Sequence, residues 1–414
     1  MDPTPAAPRR RLLDDSYAET VRARVLDFTA ARSVVNATYR YTPPFLATIA
    51  SGLDVSLTTI GVALSITELG GLLAPVVGRL VDRLPQRRTL VLSAIIIVLS
   101  ALVCAAAPNV AVLAAGLFSI SLSKAAFDLT VNAWIAEHVP YERRARVIGL
   151  VETSWAMGLL AGVPILAVFT ALISWRAAFV AGALGIAAVT ARLASVLREE
   201  TGPANPGPRG GEQTAAVVPS PPAIATPLAR RYWVPVLPFI GAFACLMGAA
   251  QCGFVTFGSW LEDDHGFGSL ALGAVTFGLG AVELLASTST MRLTDRWGKR
   301  YAVAGGAALM VPAGLLLAVS GSVLPLGLFA LAIYFLGFEF AIVSAISLAS
   351  NVVPGRAATG IGLVLGAATV GRAVVATVAT RLYTAHGITG PLLLGAALAT
   401  TCAGLVARLV HDNG

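Results

Sequence analysis

The sequence has 414 residues, of which 56% are hydrophobic and only 12% are charged, and its formal net charge is +7. Soluble domains contain about 25% charged residues, so this composition excludes a disordered chain and disfavours an ordinary soluble enzyme. The four cysteines lie in apolar runs without a Cys-x-x-Cys spacing, which disfavours a disulfide scaffold and a thiolate metal site.

Twelve stretches of the chain are apolar and long enough to cross a bilayer, which requires about 20 helical residues. They are predicted at 26–49, 57–80, 89–107, 110–137, 147–172, 177–197, 232–257, 268–291, 301–320, 323–350, 359–384 and 386–408. Residues 1–25 form a polar tail without the apolar core of a cleavable signal peptide. Residues 199–229 contain seven prolines and no apolar periodicity, which predicts a flexible linker. We therefore expect an all-α membrane protein with six-helix bundles at 26–198 and 230–410.

The basic residues are distributed unevenly over this predicted topology. With the N-terminus inside, most of the 29 lysines and arginines fall in cytoplasmic segments, and the linker is cytoplasmic too. This positive-inside pattern predicts cytoplasmic termini in a plasma-membrane protein. It also accounts for the net charge of +7 without a nucleic-acid partner.

An internal repeat links the two predicted bundles. The loop GRLVDRLPQRR, which begins at Gly78, matches MRLTDRWGKR further along the chain, with Asp82 aligned to Asp295 and Arg83 to Arg296. Matching loops half a chain apart indicate two six-helix halves in parallel orientation, an arrangement found in transporters.

Three segments together resemble one known family. The loop Gly78-Arg79-Leu80-Val81-Asp82-Arg83 is similar to the loop between helices two and three of the major facilitator superfamily. The segment 140–146, PYERRAR, resembles the family's P-x-E-R-R-x-R motif, and 174–179, SWRAAF, resembles its entry to helix six. The resemblance to twelve-helix drug–proton antiporters implies a secondary transporter without a cofactor, energised by a proton gradient.

The same resemblance implies a role for the repeated loops. In the family, the aspartate that matches Asp82 lies beside an arginine and a helix N-terminus, whose dipole favours an anion. Asp82 is therefore expected to help latch the two halves together on the cytoplasmic side. The predicted gate-loop residues are Gly78, Arg79, Asp82, Arg83, Asp295 and Arg296.

Acidic residues inside the predicted membrane segments are the candidates for proton coupling. A charge at mid-bilayer costs about 2.5–3.5 kcal/mol even on the lenient insertion scale, and a buried acid beside a base can exchange protons when its surroundings change. The candidates, in order of preference, are Asp128, Glu152, Glu68, Glu283 and Glu339. The alternative interpretation is structural pairing, with Lys124 bound to Asp128 one helical turn away and Arg372 neutralised by an acid of the second half.

Polar and basic residues in the same segments are the candidate substrate contacts or charge partners. Arg32, Asn36 and Arg40 recur every four residues, so they share one face of the first helix. The full candidate set is Arg32, Asn36, Tyr39, Arg40, Lys124, Gln251 and Arg372.

Three functions are compatible with these observations. The first is proton-coupled export of a small amphipathic compound, and the second is import or facilitated passage of a polar or anionic solute, favoured if the interior bases are unpaired. The third is a membrane sensor or scaffold that transports nothing. The sequence contains no phosphate-binding lysine motif and no metal-ligand spacing, so we expect a monomeric transporter rather than an enzyme. Its expected partners are a small-molecule substrate and the lipid bilayer.

Overall fold

The computed structural model describes residues 13, 17–81, 83–199, 230–352 and 357–409, and every regular element within these ranges is helical. Ten of the helices are long and apolar enough to cross a membrane. The first two predicted segments are also helical but interrupted, and they complete a set of twelve. The protein is therefore a multi-pass, all-α membrane protein, as the sequence predicts.

The N-terminal half, our name for α1–α9, contains three interruptions. Its helices are α1 (Glu19–Arg40), α2 (Leu46–Gly52), α3 (Leu57–Leu69), α4 (Ala74–Val81), α5 (Gln86–Ala106), α6 (Val110–His138), α7 (Tyr141–Met157), α8 (Val163–Leu172) and α9 (Trp175–Glu199). A short turn, Pro43–Phe45, separates α1 from α2 because its two prolines lack backbone N–H groups for helical hydrogen bonds. A second short turn, Gly70–Leu73, joins α3 to α4, and a wide π-helical turn, Gly158–Gly162, joins α7 to α8.

The C-terminal half, our name for α10–α15, consists of six helices without such breaks. They are α10 (Arg230–His265), α11 (Ser269–Trp297), α12 (Lys299–Ser320), α13 (Leu324–Val352), α14 (Ala357–His386) and α15 (Thr389–Leu409). Here α12 packs on α13 and α15, while α10 packs on α14 and α15. The predicted linker falls outside the described residues except for its first residue, Glu199.

The two halves pack closely against each other away from the chain termini. We call this end of the bundle the loop end, because it carries the short connections around residues 53–56, 107–109, 173–174, 266–268 and 321–323; the opposite end is the terminus end. Between the halves, α3 packs on α14, α8 packs on α11, and α10 packs on α2 and the Pro43–Phe45 turn. The described arrangement is therefore closed at the loop end.

Glycines allow this close approach. A Cβ atom built on Gly280 of α11 would lie 2.5 Å from the backbone nitrogen of Leu160, and one on Gly258 of α10 would overlap the carbonyl of Pro44. Small residues at such positions let helix backbones approach each other closely in membranes. Closure at the loop end therefore depends on the absence of side chains at Gly258 and Gly280.

Candidate functional site

Within the described residues, nine acidic and basic side chains lie in the central part of the membrane-spanning helices, apart from the Asp27–Arg192 pair nearer the terminus end. The bases are Arg32, Arg40, Lys124 and Arg372, and the acids are Glu68, Asp128, Glu152, Glu283 and Glu339. Six of the nine are buried, Asp128 and Arg372 are partly buried, and Glu152 is exposed at 49% of its side chain. Buried charges require partners, so their pairing indicates which of them are free to act.

The first group lies within the N-terminal half and contains two bases and two acids. The Arg32 guanidinium donates to Asp128 at 2.9 Å through Nε and to Glu152 at 2.8 Å through Nη1. The Lys124 ammonium donates to the other Asp128 oxygen at 2.5 Å, so the predicted pair one helical turn apart is present. Asp128 thus binds two bases, whereas Glu152 binds one and is also exposed.

The predicted face of the first helix is confirmed, since it packs along α7. Besides Arg32, Asn36 donates from Nδ2 to the hydroxyl of Ser154 at 3.3 Å, and Arg40 donates from Nη1 to the carbonyl of Trp155 at 3.0 Å. The Asn36 Oδ1 atom is buried and accepts no hydrogen bond among the described residues. The spacing of four therefore places all three polar side chains of α1 against one neighbouring helix.

Two ion pairs connect the N-terminal half to the C-terminal half. Arg40 donates to both carboxylate oxygens of Glu283, at 2.5 and 2.7 Å, and both side chains are almost fully buried. Arg372 of α14 donates to Glu68 of α3 at 2.6 Å. These two contacts lie where the halves must move relative to each other if the protein changes conformation.

The expectation that Arg372 pairs with an acid of its own half is wrong. Its partner is Glu68 because α3 and α14 pack directly against each other across the interface between the halves. A hydrogen bond between the hydroxyls of Ser65 and Thr377, at 2.7 Å, joins the same two helices. The pairing of Arg372 is therefore decided by the packing of α3 on α14, and not by the half to which each residue belongs.

Glu339 differs from the other acids because no base of the described chain lies within salt-bridge distance. It is buried on α13, and its Oε1 atom accepts a hydrogen bond from Ser287 of α11 at 2.8 Å. It is close enough to Glu283 and Arg40 to interact with their charges. The interior group of four bases and five acids thus contains one acid in excess, and Glu339 is that acid.

Aromatic rings lie beside two of the interior bases, Arg40 and Lys124. The Arg40 guanidinium lies 4.5 Å from the Trp155 ring centroid and 5.8 Å from that of Phe254. The Lys124 ammonium lies 5.5 Å from the rings of both Tyr39 and Trp155. These contacts stabilise cations in a low-dielectric region.

The two remaining candidates for substrate contact are Tyr39 on α1 and Gln251 on α10. The Tyr39 side chain lies beside the guanidinium of Arg372 as well as near the ammonium of Lys124. Tyr39 therefore lies between these two bases. Gln251 is buried on α10. Both remain candidates for substrate contact.

The gate-loop prediction falls largely outside the described residues. Asp82 and the side chains of Arg79, Asp295 and Arg296 are not among them. Gly78 lies on α4 near the side chain of Leu129, and Arg83 is exposed just beyond that helix. The latch role of Asp82 therefore stays a prediction.

Sequence reasoning missed two polar contacts of interest. Thr48 of α2 donates to Glu262 of α10 at 2.7 Å, which adds a hydrogen bond between the halves at the loop end. Ser287, which binds Glu339, follows Glu283 by one helical turn on α11. Its position one turn below an intramembrane acid was the available signal. The described residues contain no group of three or more His, Cys, Asp or Glu side chains arranged to hold a metal ion.

Comparison with protein families gives a match over most of the chain. A family model described as the Major Facilitator Superfamily matches residues 29–376. Two solved structures of a bacterial homolog of the human lysosomal transporter Spinster, both inward-facing, superpose on this chain. The unoccupied form has a TM-score of 0.74 at 15% identity and covers 96% of this chain and 99% of that one. The occupied form has a TM-score of 0.71 at 16% identity, with coverages of 95% and 94%. At such identities the likeness shows the fold alone.

Matches to curated relatives are shorter. An uncharacterized MFS-type transporter of Bacillus subtilis is 29% identical over 139 residues, which is 33% of either chain. A chloramphenicol efflux pump of Mycobacterium tuberculosis is 32% identical over 152 residues, or 36% of this chain and 37% of the pump. A glucose transporter of Staphylococcus epidermidis is 30% identical over 125 residues, or 30% of this chain and 28% of the transporter. The aligned regions thus span about a third of these relatives.

Proposed function

The chain belongs to the major facilitator superfamily, whose members act on small molecules within a membrane, and on this premise we propose that it is a proton-coupled secondary transporter exporting a small amphipathic compound. The two halves rock about the central ion pairs and expose the interior alternately to either side. The observation that carries this proposal is the excess interior acid, Glu339, which has no base to neutralise it within the described chain.

The excess acid supports proton coupling because of the cost of an unpaired charge. An ionised carboxylate without a base is unfavourable inside a bilayer, and such a group neutralises itself by binding a proton. Glu339 is therefore a better proton-binding site in this arrangement than Asp128, which binds both Lys124 and Arg32. Glu152, paired once and exposed, is the second candidate.

The pairing of the bases argues against an anionic substrate. Each interior base has a carboxylate partner at 2.9 Å or less, so a carboxylate or phosphate solute would have to displace a protein acid to bind. The unpaired bases that favour an importer of anions are not found in the interior group. An amphipathic, uncharged or cationic compound fits this interior better.

Export is supported by likeness to a relative that is described as a chloramphenicol efflux pump. We further propose a plasma-membrane location with both termini in the cytoplasm, in agreement with the arginine-rich terminus-end segments. The proposed functional unit is the monomer, because the interior group is complete within one chain. No cofactor is required by this mechanism.

A second candidate function is passage of an uncharged polar solute, which is supported by likeness to a glucose transporter. Such a solute would be held by hydrogen bonds rather than by charge, and Gln251 and the unpaired Oδ1 atom of Asn36 would be suitable partners. Proton coupling through Glu339 is compatible with this function as well. The two functions differ in the compound that moves.

The deciding experiment uses the purified full chain in proteoliposomes that enclose a pH-sensitive dye. Chloramphenicol, glucose and lactate are supplied as amphipathic, polar and anionic probes against an imposed proton gradient. We expect chloramphenicol to dissipate the gradient, and Glu339→Gln to reduce this flux at least tenfold. Glu137→Gln, which alters an exposed acid at the end of α6, is the matched control and should behave as the unaltered protein.

Two results would contradict the proposal. Transport of any probe at a rate independent of the proton gradient would exclude proton coupling. Flux with glucose but not with chloramphenicol would replace the export proposal with the polar-solute alternative. Flux with lactate would contradict the argument against an anionic substrate.

A further inference from the structure

One arginine of the N-terminal half lies near two acids of the C-terminal half. Arg40 binds Glu283 of α11 through both carboxylate oxygens, while Glu339 of α13 accepts its hydrogen bond from Ser287. Electrostatic interactions connect Glu339 with both Arg40 and Glu283. The three charged groups therefore form one cluster of two acids and one base, in which the base binds Glu283.

The two acids lie at nearly the same depth. At 1.5 Å per residue, Glu283 is about 21 Å and Glu339 about 22.5 Å from the loop ends of their helices, and Arg40 is about 18 Å from the loop end of α2. The guanidinium therefore does not have to move along the membrane normal to change partner. It lies between the Trp155 ring of its own half and the Phe254 ring of the other, and both rings stabilise a cation during such a movement.

The number of protons in the cluster decides which acid holds the arginine. Two nearby carboxylates repel each other, and one guanidinium can neutralise only one of them fully in a low-dielectric region. With a proton on Glu339, Arg40 belongs to Glu283, which is the described arrangement. When Glu339 releases its proton, its carboxylate competes for Arg40 while Glu283 becomes the acid that is available for a proton.

We propose that Arg40 exchanges partners between Glu283 and Glu339, and that this exchange couples proton binding to the relative movement of the two halves. The inference rests on the proposed function, since it explains how a proton-coupled transporter would use its proton. Both acids belong to the C-terminal half but to different helices, α11 and α13. A change of partner therefore moves α1 relative to the C-terminal half, which a change of charge on one helix alone does not require.

Other charged groups do not compete for this role in the described chain. Among the titratable groups of the helices packed around α13, Glu283 alone interacts with Glu339, and Arg40 approaches from the N-terminal half. Arg372 of α14 is held by Glu68. The remaining titratable residues of these helices either lie nearer the helix ends or carry a thiol or a phenol. They are Cys245, Cys252, Glu262, Asp263, Asp264 and His265 on α10, Lys299, Arg300 and Tyr301 on α12, Tyr334 on α13, and Arg381, Tyr383 and His386 on α14.

The test measures the separation of the halves as a function of pH. Spin labels are attached to Pro108→Cys and Ser322→Cys, two exposed loop-end positions in opposite halves, in the full-length, otherwise cysteine-free protein in lipid nanodiscs. Pulsed electron resonance then gives the distance distribution from acidic to alkaline pH. We expect two populations, one loop-closed and one loop-open, whose ratio changes with pH.

The variants should separate in opposite directions. Glu339→Gln leaves Arg40 with Glu283, so the loop-closed population should remain at every pH. Glu283→Gln leaves Glu339 as the one acid partner, so the loop-open population should dominate and the pH dependence should be lost. Glu339→Asp keeps the charge and should keep the pH response, as should the control Glu137→Gln.

Either of two outcomes would overturn the exchange: a normal pH response in Glu339→Gln, or the same population in Glu339→Gln and Glu283→Gln. Elution of each variant as a folded monomer on size exclusion shows that the comparison is between folded proteins. The outcome is independent of the transport assay. If the protein shows proton flux but Glu339→Gln keeps the normal pH response, the exchange is wrong and the proposed function stands. If the protein shows no proton flux but Glu339→Gln loses the pH response, the proposed function is wrong and the exchange stands.

Discussion

Replacing Gly280 by alanine should disfavour the loop-closed arrangement. A Cβ atom at this position would lie 2.5 Å from the backbone nitrogen of Leu160 and 2.6 Å from its Cα atom, whereas ordinary contacts begin at 3.4 Å. The obstructing atoms are backbone atoms of the opposite half, so no side-chain rotation relieves the overlap. The halves must therefore separate locally by about 1 Å if they are to accept one methyl group.

The energetic consequence follows from this overlap. Overpacking by a methyl group costs about 1–3 kcal/mol, and here the cost falls on the loop-closed arrangement because Gly280 and Leu160 belong to opposite halves. A difference of this size shifts an equilibrium between two conformations about 5- to 150-fold. We therefore expect the ratio of loop-closed to loop-open protein to fall by that factor and the transport rate to fall with it.

A matched control lies two residues away on the same helix. A Cβ atom added to Gly278 would meet no other atom within 4 Å, and an alanine there gives the same gain in helix propensity. The distance between labels at positions 108 and 322 measures both variants. Identical distance distributions for Gly280→Ala and Gly278→Ala would refute the view that backbone contact at this glycine controls closure.

Three further experiments test the ion pairs and the loop-end contact. Asp128→Asn leaves two interior bases without their shared carboxylate and should destabilise the protein by about 3 kcal/mol, as measured by thermal unfolding in detergent. Adding Lys124→Met should recover part of this loss, and no recovery would contradict the pairing. Glu68→Arg and Arg372→Glu should each abolish transport while the double variant restores a measurable rate, and failure of that rescue would argue against direct pairing between the halves. Thr48→Val removes one hydrogen bond between the halves and should raise the loop-open population by about tenfold at most, corresponding to about 0.5–1.5 kcal/mol, in the same distance measurement.

The positions of the helices were predictable because each is encoded locally. Apolar length alone places α5, α6, α12, α13, α14 and α15 within three residues of their described ends. The helices α10 and α11 continue eight and six residues beyond their predicted ends, into polar sequence that the apolar criterion leaves out. The periodic face of α1 also follows from spacing, because Arg32, Asn36 and Arg40 must project in one direction whatever helix they meet.

The pairing of the interior charges was only partly predictable. The contact between Lys124 and Asp128 follows from their separation by one helical turn. The partner of Arg372 depends on which helices touch across the two halves, and neither hydropathy nor spacing contains that information. The isolation of Glu339 is likewise a property of the whole set, because it appears only when every interior base of the described chain has been assigned to an acid.

The depth of Glu339 has a consequence for the membrane potential. It lies near the middle of α13, so a proton that reaches it from either side crosses roughly half of the electric field. Moving one elementary charge across the whole field is worth about 2.3 kcal/mol per 100 mV, so each of the two steps at Glu339 carries about half of that. The voltage across the membrane, in addition to the pH difference, therefore contributes to loading and unloading this acid.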